Sequence, residues 1–445
     1  MSEELKRPES SMNLYVNITG LLSFYLSLVL INYFHPDMDR VVATIVCIFS
    51  SFTIPLYFDL FVYKKYKKAS SGFHNIENKN PDRILVKLLG FLATFFIAWL
   101  IYNFLPEYQI DYHQHFKSIA NYSLLILAVL GLYYLIEADI WMKEPEDGYY
   151  HMGKLTMVLL FAAKKEEINW IILKEHFRNW FIKIFFFPIM FGVSYIHVDF
   201  LLKWNISDFT DKRDIYFYFQ YLIFSMDVVF ACAGYLITFR VVDSHIKSVD
   251  PTKLGWIFCL MCYVPFSGYS TSFFKYNNGF FFYDWLYNDD ILFIIWAGIV
   301  LFANAIYAFS TVAFGYRFSN LTYRGIITSG PYRFSKHPAY ITKNIAWWFY
   351  SVPFISADGW KDAAAYCFGL SLINLIYFMR ARTEENHLSN YPEYVQYANW
   401  MNEHGTLRFI GKLIPFFAYS EERAKRQGAL TWQKQLEKKE RELEF

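Results

Sequence analysis

The sequence predicts an all-α, polytopic transmembrane helical bundle of about ten spans. Of 445 residues, 55% are hydrophobic and only 18% are charged, too little charge to solvate a soluble chain of this length. Apolar blocks such as Ile84 to Leu105, Ser118 to Leu135, Tyr216 to Phe239 and Ile291 to Phe314 each approach the roughly 20 residues a helix needs to cross hydrocarbon. Period-two alternation is absent, which argues against a β-barrel.

Taken in order, the apolar blocks predict helices near 13–33, 40–63, 84–105, 118–138, 179–197, 215–239, 254–270, 291–314, 338–355 and 362–380. The polar start, Met1 to Ser11, precedes no small-residue cleavage site, so the first span is expected to serve as the targeting signal. Basic residues alternate between loops. Lys64, Lys65, Lys67, Lys68, Lys79 and Arg83 fall on one side, joined by Lys143, Lys154, Lys164, Lys165, Lys174 and Arg178. Arg240, Lys247, Arg317, Arg324, Arg333, Lys336 and Lys343 follow, whereas His35 to Arg40 opposite holds one arginine. The positive-inside rule makes the rich face cytoplasmic, and an even span count brings both termini to it, although loop 198–214 also carries three basic residues.

The long connection 139–178 reads as an interfacial amphipathic helix or a solvated loop. The tail 420–445 is charge-rich and helix-prone, with a solvated helix of no chemical role as its plainest reading. Net charge is +2, which points to no nucleic-acid partner. Cys47, Cys232, Cys259, Cys262 and Cys367 follow no secreted-scaffold spacing and read as reduced thiols. Cys259 and Cys262 have metal-like spacing without a second ligand pair, so no metal is expected. His113 and His115 read as solvated loop residues.

Two polar clusters interrupt the apolar pattern. From Ile291 to Ala357 there is no Asp or Glu, yet Arg317, Arg324, Arg333, Lys336, His337 and Lys343 lie within it, a patch that invites an anion. Its centre, Thr322 to Tyr340, is too polar and too broken by Gly and Pro to cross lipid, and non-helical backbone at that depth needs protein or a water-filled cavity around it. Pro338 suits a first helical position, and the free N–H groups behind it favour a carboxylate or phosphate. A juxtamembrane loop made basic by topology alone is the competing reading. The second cluster runs from Arg380 to Leu388 and includes Arg382, Glu384 and Glu385, followed by Tyr391, Glu393, Tyr394 and Tyr397. Alone, it reads as interfacial ion pairs of little energetic weight.

Together, Ile326-Ile327-Thr328-Ser329-Gly330-Pro331-Tyr332, Lys336-His337-Pro338-Ala339-Tyr340, Arg380 to Leu388, and Glu393-Tyr394 with Tyr397 resemble the isoprenylcysteine carboxyl methyltransferase family, and more distantly its phospholipid methyltransferase relatives. The resemblance covers roughly Tyr316 to Phe409; Lys336 stands where the family has Arg, and the N-terminal extension is long. It implies three regions: 1–290 of unassigned role, a methyltransferase-like membrane domain at 291–419, and the charged helix 420–445. It also implies S-adenosyl-L-methionine as cofactor. Arg324, Gly325, Ile326 and Ile327 would lend backbone contacts, Tyr332, Ala339 and Tyr340 would border the cofactor, and His337-Pro338 would set a helix N-terminus against it. Glu384, with Glu385 beside it, would take the α-ammonium, while Arg380, with Arg382 nearby, would orient an acceptor carboxylate. The implied partner is a lipid-borne or prenylated acceptor reached from the bilayer, at a cytoplasmic site in a bacterial inner membrane or the endoplasmic reticulum.

Three other functions compete. An amine N-methyltransferase would need a base to deprotonate its acceptor. A transporter would place charges in broken helices near the midplane, and Asp227, with His197 and Asp199 near a helix end, is the residue to watch. A sterol-type reductase fits the His-Pro and Arg/Glu-Glu blocks less well.

Overall fold

In the computed structural model, which describes residues 6–161, 167–277, 279–356 and 359–424, the chain is an all-α polytopic bundle. Among the described residues, eight helices are long and apolar enough to cross a membrane: Leu14–Phe34, Arg40–Val62, Pro81–Phe104, Gln114–Trp141, Trp170–Lys203, Lys212–Leu236, Asp290–Arg317 and Trp360–Leu388. We number the helices α1 (Leu14–Phe34), α2 (Arg40–Tyr57), α3 (Pro81–Phe104), α4 (Gln114–Trp141), α5 (Gly148–Phe161), α6 (Trp170–Lys203), α7 (Lys212–Leu236), α8 (Lys253–Leu260), α9 (Phe266–Phe273), α10 (Phe282–Trp285), α11 (Asp290–Phe314), α12 (Pro338–Ser351), α13 (Trp360–Leu388), α14 (Pro392–His404) and α15 (Arg408–Leu413).

Side-chain caps set where the long helices start. The Asn13, Asp39, Asn80 and Asn169 oxygens accept the first free N–H groups of α1, α2, α3 and α6, and Pro81 occupies a position where no N–H is needed. Buried charges join helices where water is scarce: Arg83 and Lys87 on α3 meet Asp139 on α4 at 2.7 and 2.8 Å. The apolar core between α1, α2, α6 and α7 includes Phe24, Ile48, Phe52, Phe186, Val229 and Cys232.

Two predicted spans take another form. The 254–270 stretch divides into α8 and α9, with Pro265 just ahead of α9, because proline lacks a helix donor and disfavours helix at the residue before it. The 338–355 stretch forms α12, only 14 residues and therefore roughly 21 Å long. Both still traverse the bundle. Lys212 at the start of α7 meets Asp290 at the start of α11 at 2.6 Å, and Thr311 late in α11 bonds Asp227 on α7, so the two helices run parallel. The chain must return between them. It does so from β1 (Ser248–Val249), paired antiparallel with β2 (Thr322–Tyr323) at one end, through α8, α9 and α10 to the other end. Helix α12 runs back from the β2 end until the Phe349 carbonyl accepts Trp296 Nε1 at 2.6 Å.

A further expectation changes. His113 is buried at 2% exposure and packs on Tyr108, and His115 stacks on Tyr195 with centroids 3.6 Å apart, so neither is a free loop side chain. The 139–178 connection contains α5, which packs on α3 through glycines. The tail from 425 onward lies outside the described residues.

Candidate functional site

A cavity opens where the β1–β2 end of the bundle meets α11, α12 and α13. Its walls include Asp250, Cys259, Tyr263, Tyr307, Asn320, Tyr332, Lys336, His337, Ala339, Tyr340, Lys343, Tyr377, Arg380, Glu384 and His387. The loop between α11 and α12 forms one side, and a buried arginine holds its shape. Arg324, 3% exposed, donates to the carbonyls of Gly234, Ile237, Ser244, Tyr316 and Phe318. Gly325 follows at φ +107°, and a Cβ there would lie 2.5 Å from Ser11 Oγ. Tyr397 on α14 donates to the Tyr332 carbonyl at 2.6 Å, and His337 leads into Pro338 at the first position of α12.

The sequence-predicted residues separate into two groups. Tyr332, His337, Ala339, Tyr340, Arg380 and Glu384 line the cavity, and Pro338 starts the helix behind them. Arg324, Gly325, Ile326, Ile327, Arg382 and Glu385 do not. The Arg324 side chain is spent on carbonyls, Ile327 lies in the apolar core, and the Ile326 carbonyl accepts the Ser11 N–H at 2.7 Å. An N-terminal segment therefore occupies backbone that the resemblance assigns to a cofactor. Residue spacing explains the fate of Glu385 and Arg382: neighbours on a helix point about 100° apart. Glu384 faces the cavity, while Glu385 turns to Lys336 at 2.6 Å, His337 at 3.2 Å and Arg382 at 2.8 Å. Arg382 also donates to the Phe416 carbonyl, which carries it away from the cavity.

Charge inside the cavity is unevenly satisfied. Arg380 donates to Asn320 Oδ1 at 2.6 Å and lies over the rings of Tyr263 and Tyr340, 5.3 and 5.1 Å from their centroids. Among the described residues no carboxylate lies within ion-pair distance of it. Glu384 accepts Tyr340 Oη at 2.8 Å and has no cation within that distance among the same residues. Burial pushes the Lys336 ammonium and Asp250 carboxyl toward their neutral forms, opposed by Glu385 and by Thr252 respectively. Burial likewise holds the Tyr332 phenol protonated.

Sequence reasoning missed several wall residues. Asp250, Tyr263 and Asn320 carry no local motif, and Cys259 stood out only for its spacing to Cys262. Lys343 did carry a signal, a lone cation in an apolar helix, but was counted with the basic loops; it lies on α12 against the cavity. Arg317 and Arg324 are likewise buried rather than displayed, Arg317 being paired with Asp243 at 3.1 Å. Asp227, the residue a transporter reading turns on, accepts Tyr307 and Thr311 hydroxyls beside this cavity. Cys259 and Cys262 are free thiols.

No family model, curated protein or solved structure matches this chain. The site is therefore read from its own chemistry. Among the described residues, a guanidinium and a carboxylate that lack ionic partners stand one helical turn apart with tyrosine faces around them, an arrangement suited to an anionic group and a cationic group held side by side. The donor set fits S-adenosyl-L-methionine in kind. The enclosed space, about 100 Å³, is below the roughly 300–1,000 Å³ of typical ligand pockets. A wider, open depression of about 360 Å³ lies among Tyr195, Asp199, Phe200, Lys203, Trp204 and Tyr221, at the end of the bundle away from β1 and β2.

Proposed function

We propose that this membrane protein is an S-adenosyl-L-methionine-dependent methyltransferase acting on a carboxylate of a lipid-borne or isoprenylated acceptor. The observation that carries the reading is the pairing of Arg380 with Glu384: both line one cavity, one turn apart on α13, and neither meets an opposite charge among the described residues. When bound, the cofactor would supply an electrophilic methyl to the acceptor oxygen, the C–S electrons staying on sulfur. No protein nucleophile is required, and a carboxylate acceptor needs no base. The residues bind and orient: Glu384 takes an α-ammonium, Arg380 aligns the acceptor, and Tyr340 and Tyr263 exclude water and offer ring faces to positive charge. The basic loops favour a cytoplasmic site, in a bacterial inner membrane or the endoplasmic reticulum.

The test is binding of S-adenosylhomocysteine to purified protein, followed by transfer of labelled methyl to lipid extract. Glu384→Gln should weaken binding by about 2–5 kcal/mol. Arg380→Ala should spare binding and abolish transfer, and the wild-type product should be an ester that releases methanol in mild base. A base-stable product would favour the amine reading, and no binding at all would end both.

A further inference from the structure

Lys343 has no counterpart in the assignments above. It lies five residues into α12, roughly 7.5 Å beyond Pro338, where the cavity runs deeper into the bundle. Its ammonium faces three rings, those of Tyr307, Trp347 and Tyr377, at 5.0, 5.4 and 5.4 Å from their centroids. Among the described residues no carboxylate lies within ion-pair distance of it. Asp227 is engaged across the ring: Tyr307 gives its hydroxyl to Asp227 at 3.0 Å and its face to Lys343. Two rings, Tyr340 and Tyr377, with centroids 5.9 Å apart, stand between Lys343 and Arg380. The cavity thus presents two cations without carboxylate partners on one wall.

Aromatic faces stabilise a lysine ammonium but leave its three N–H donors without acceptors. An anion arriving in the cavity supplies them. An ammonium arriving there meets the two like charges of Lys343 and Arg380 in a poorly screened space, offset by the single carboxylate of Glu384, so an acid is favoured over an amine. We propose that Lys343 is a specificity-determining residue which, with Arg380, makes the cavity take an acidic amphiphile and reject a basic one.

This rests on the carboxylate reading of the same cavity, and its test needs no methyl donor. Tritiated palmitate and hexadecylamine are titrated against the full-length protein in detergent, with S-adenosylhomocysteine affinity measured in parallel. Wild type should bind palmitate at least about tenfold more tightly than the amine. Lys343→Met, which keeps the stem among the rings, should lose about tenfold or more of palmitate affinity, the scale of one charge-assisted hydrogen bond. Lys343→Arg should recover most of it, and both variants should bind S-adenosylhomocysteine as wild type does, which also certifies folding. Equal binding of palmitate by wild type and Lys343→Met, or equal wild-type affinity for acid and amine, would overturn the assignment. Absent S-adenosylhomocysteine binding with intact palmitate selectivity would overturn the methyltransferase reading instead and leave the acidic-lipid site standing.

Discussion

Arg324 and Arg380 show how one residue type takes opposite roles at the same end of the bundle. Arg324 is closed off by backbone carbonyls from α7, the following turn and the α11–α12 loop. Its removal would leave several buried acceptors unmade, at about 1–3 kcal/mol each. Arg324→Ala should therefore fail as a fold, with thermal melting of the purified protein falling sharply, before any change in ligand affinity can be read. Surviving stability with lost ligand binding would return Arg324 to the site. A nearby histidine supplies a pH dependence. Arg240 Nη1 lies 3.2 Å from His245 Nε2, an arrangement that requires the nitrogen to accept, and burial followed by the Arg240 charge pushes His245 from 6.5 to about 3. A depressed folded pKa means the unfolded chain binds the extra proton first, so stability is intact above pH 6.5 and falls as pH drops toward 3. The slope contributed is at most about 1.4 kcal/mol per pH unit. His245→Gln should flatten that part of the stability profile in chemical denaturation between pH 7 and 4; an unchanged slope would show that His245 is not the titrating group.

At the scale of elements, glycine decides how closely α3 and α5 pack. A Cβ at Gly153 would lie 1.9 Å from the Val86 carbonyl oxygen, and one at Gly90 would lie 2.0 Å from that of Tyr149. These are backbone atoms, so the clash cannot be relieved by a rotamer change. Gly153→Ala should push the helices apart and destabilise the protein by about 2 kcal/mol or more. Gly298→Ala on α11, where a Cβ meets nothing within 4 Å, should be neutral or slightly stabilising, since it only removes backbone freedom. Melting temperatures of the pair measure the contrast. The sequence located most long helices within a few residues because length and hydropathy are local properties. It joined α8 to α9 because a polar Ser/Gly run inside aromatic residues still averages as apolar. That misreading matters, because α8 and the segments on either side of it supply Asp250, Cys259 and Tyr263 to the cavity.

For the whole molecule, the parallel course of α7 and α11 requires residues 250–289 to cross from one end of the bundle to the other. In a cysteine-free background, single cysteines at exposed Lys68 and Arg333 should label from one side of sealed vesicles, and those at exposed Asp37 and Tyr287 from the other. Labelling of Tyr287→Cys together with Lys68→Cys would remove the broken-helix crossing. The boundary drawn at residue 290 also loses sharpness at this scale. Asn17 on α1 donates to the Val312 carbonyl at 2.9 Å, Ser10 and Ser11 bond the 326–329 loop, and α8 walls the cavity.

Composition and apolar block length determined the fold class, because a chain this poor in charge has to bury backbone polar groups in helices and expose apolar faces to lipid. The His337-Pro338 turn, the Arg380–Glu384 spacing and the tyrosines around them were also legible, because turn chemistry and the helical repeat are written in neighbouring residues. Tertiary structure alone decided which charges remain unpaired. The Ile291 to Ala357 stretch looks uniformly basic on paper, yet Arg317 finds Asp243, Lys336 finds Glu385, and Arg324 finds carbonyls. Among the described residues, Arg380 and Lys343 find only an amide, a hydroxyl and aromatic faces. The partners of a buried cation come from elements far away in the chain, so its freedom to meet a ligand is a property of packing and not of local sequence.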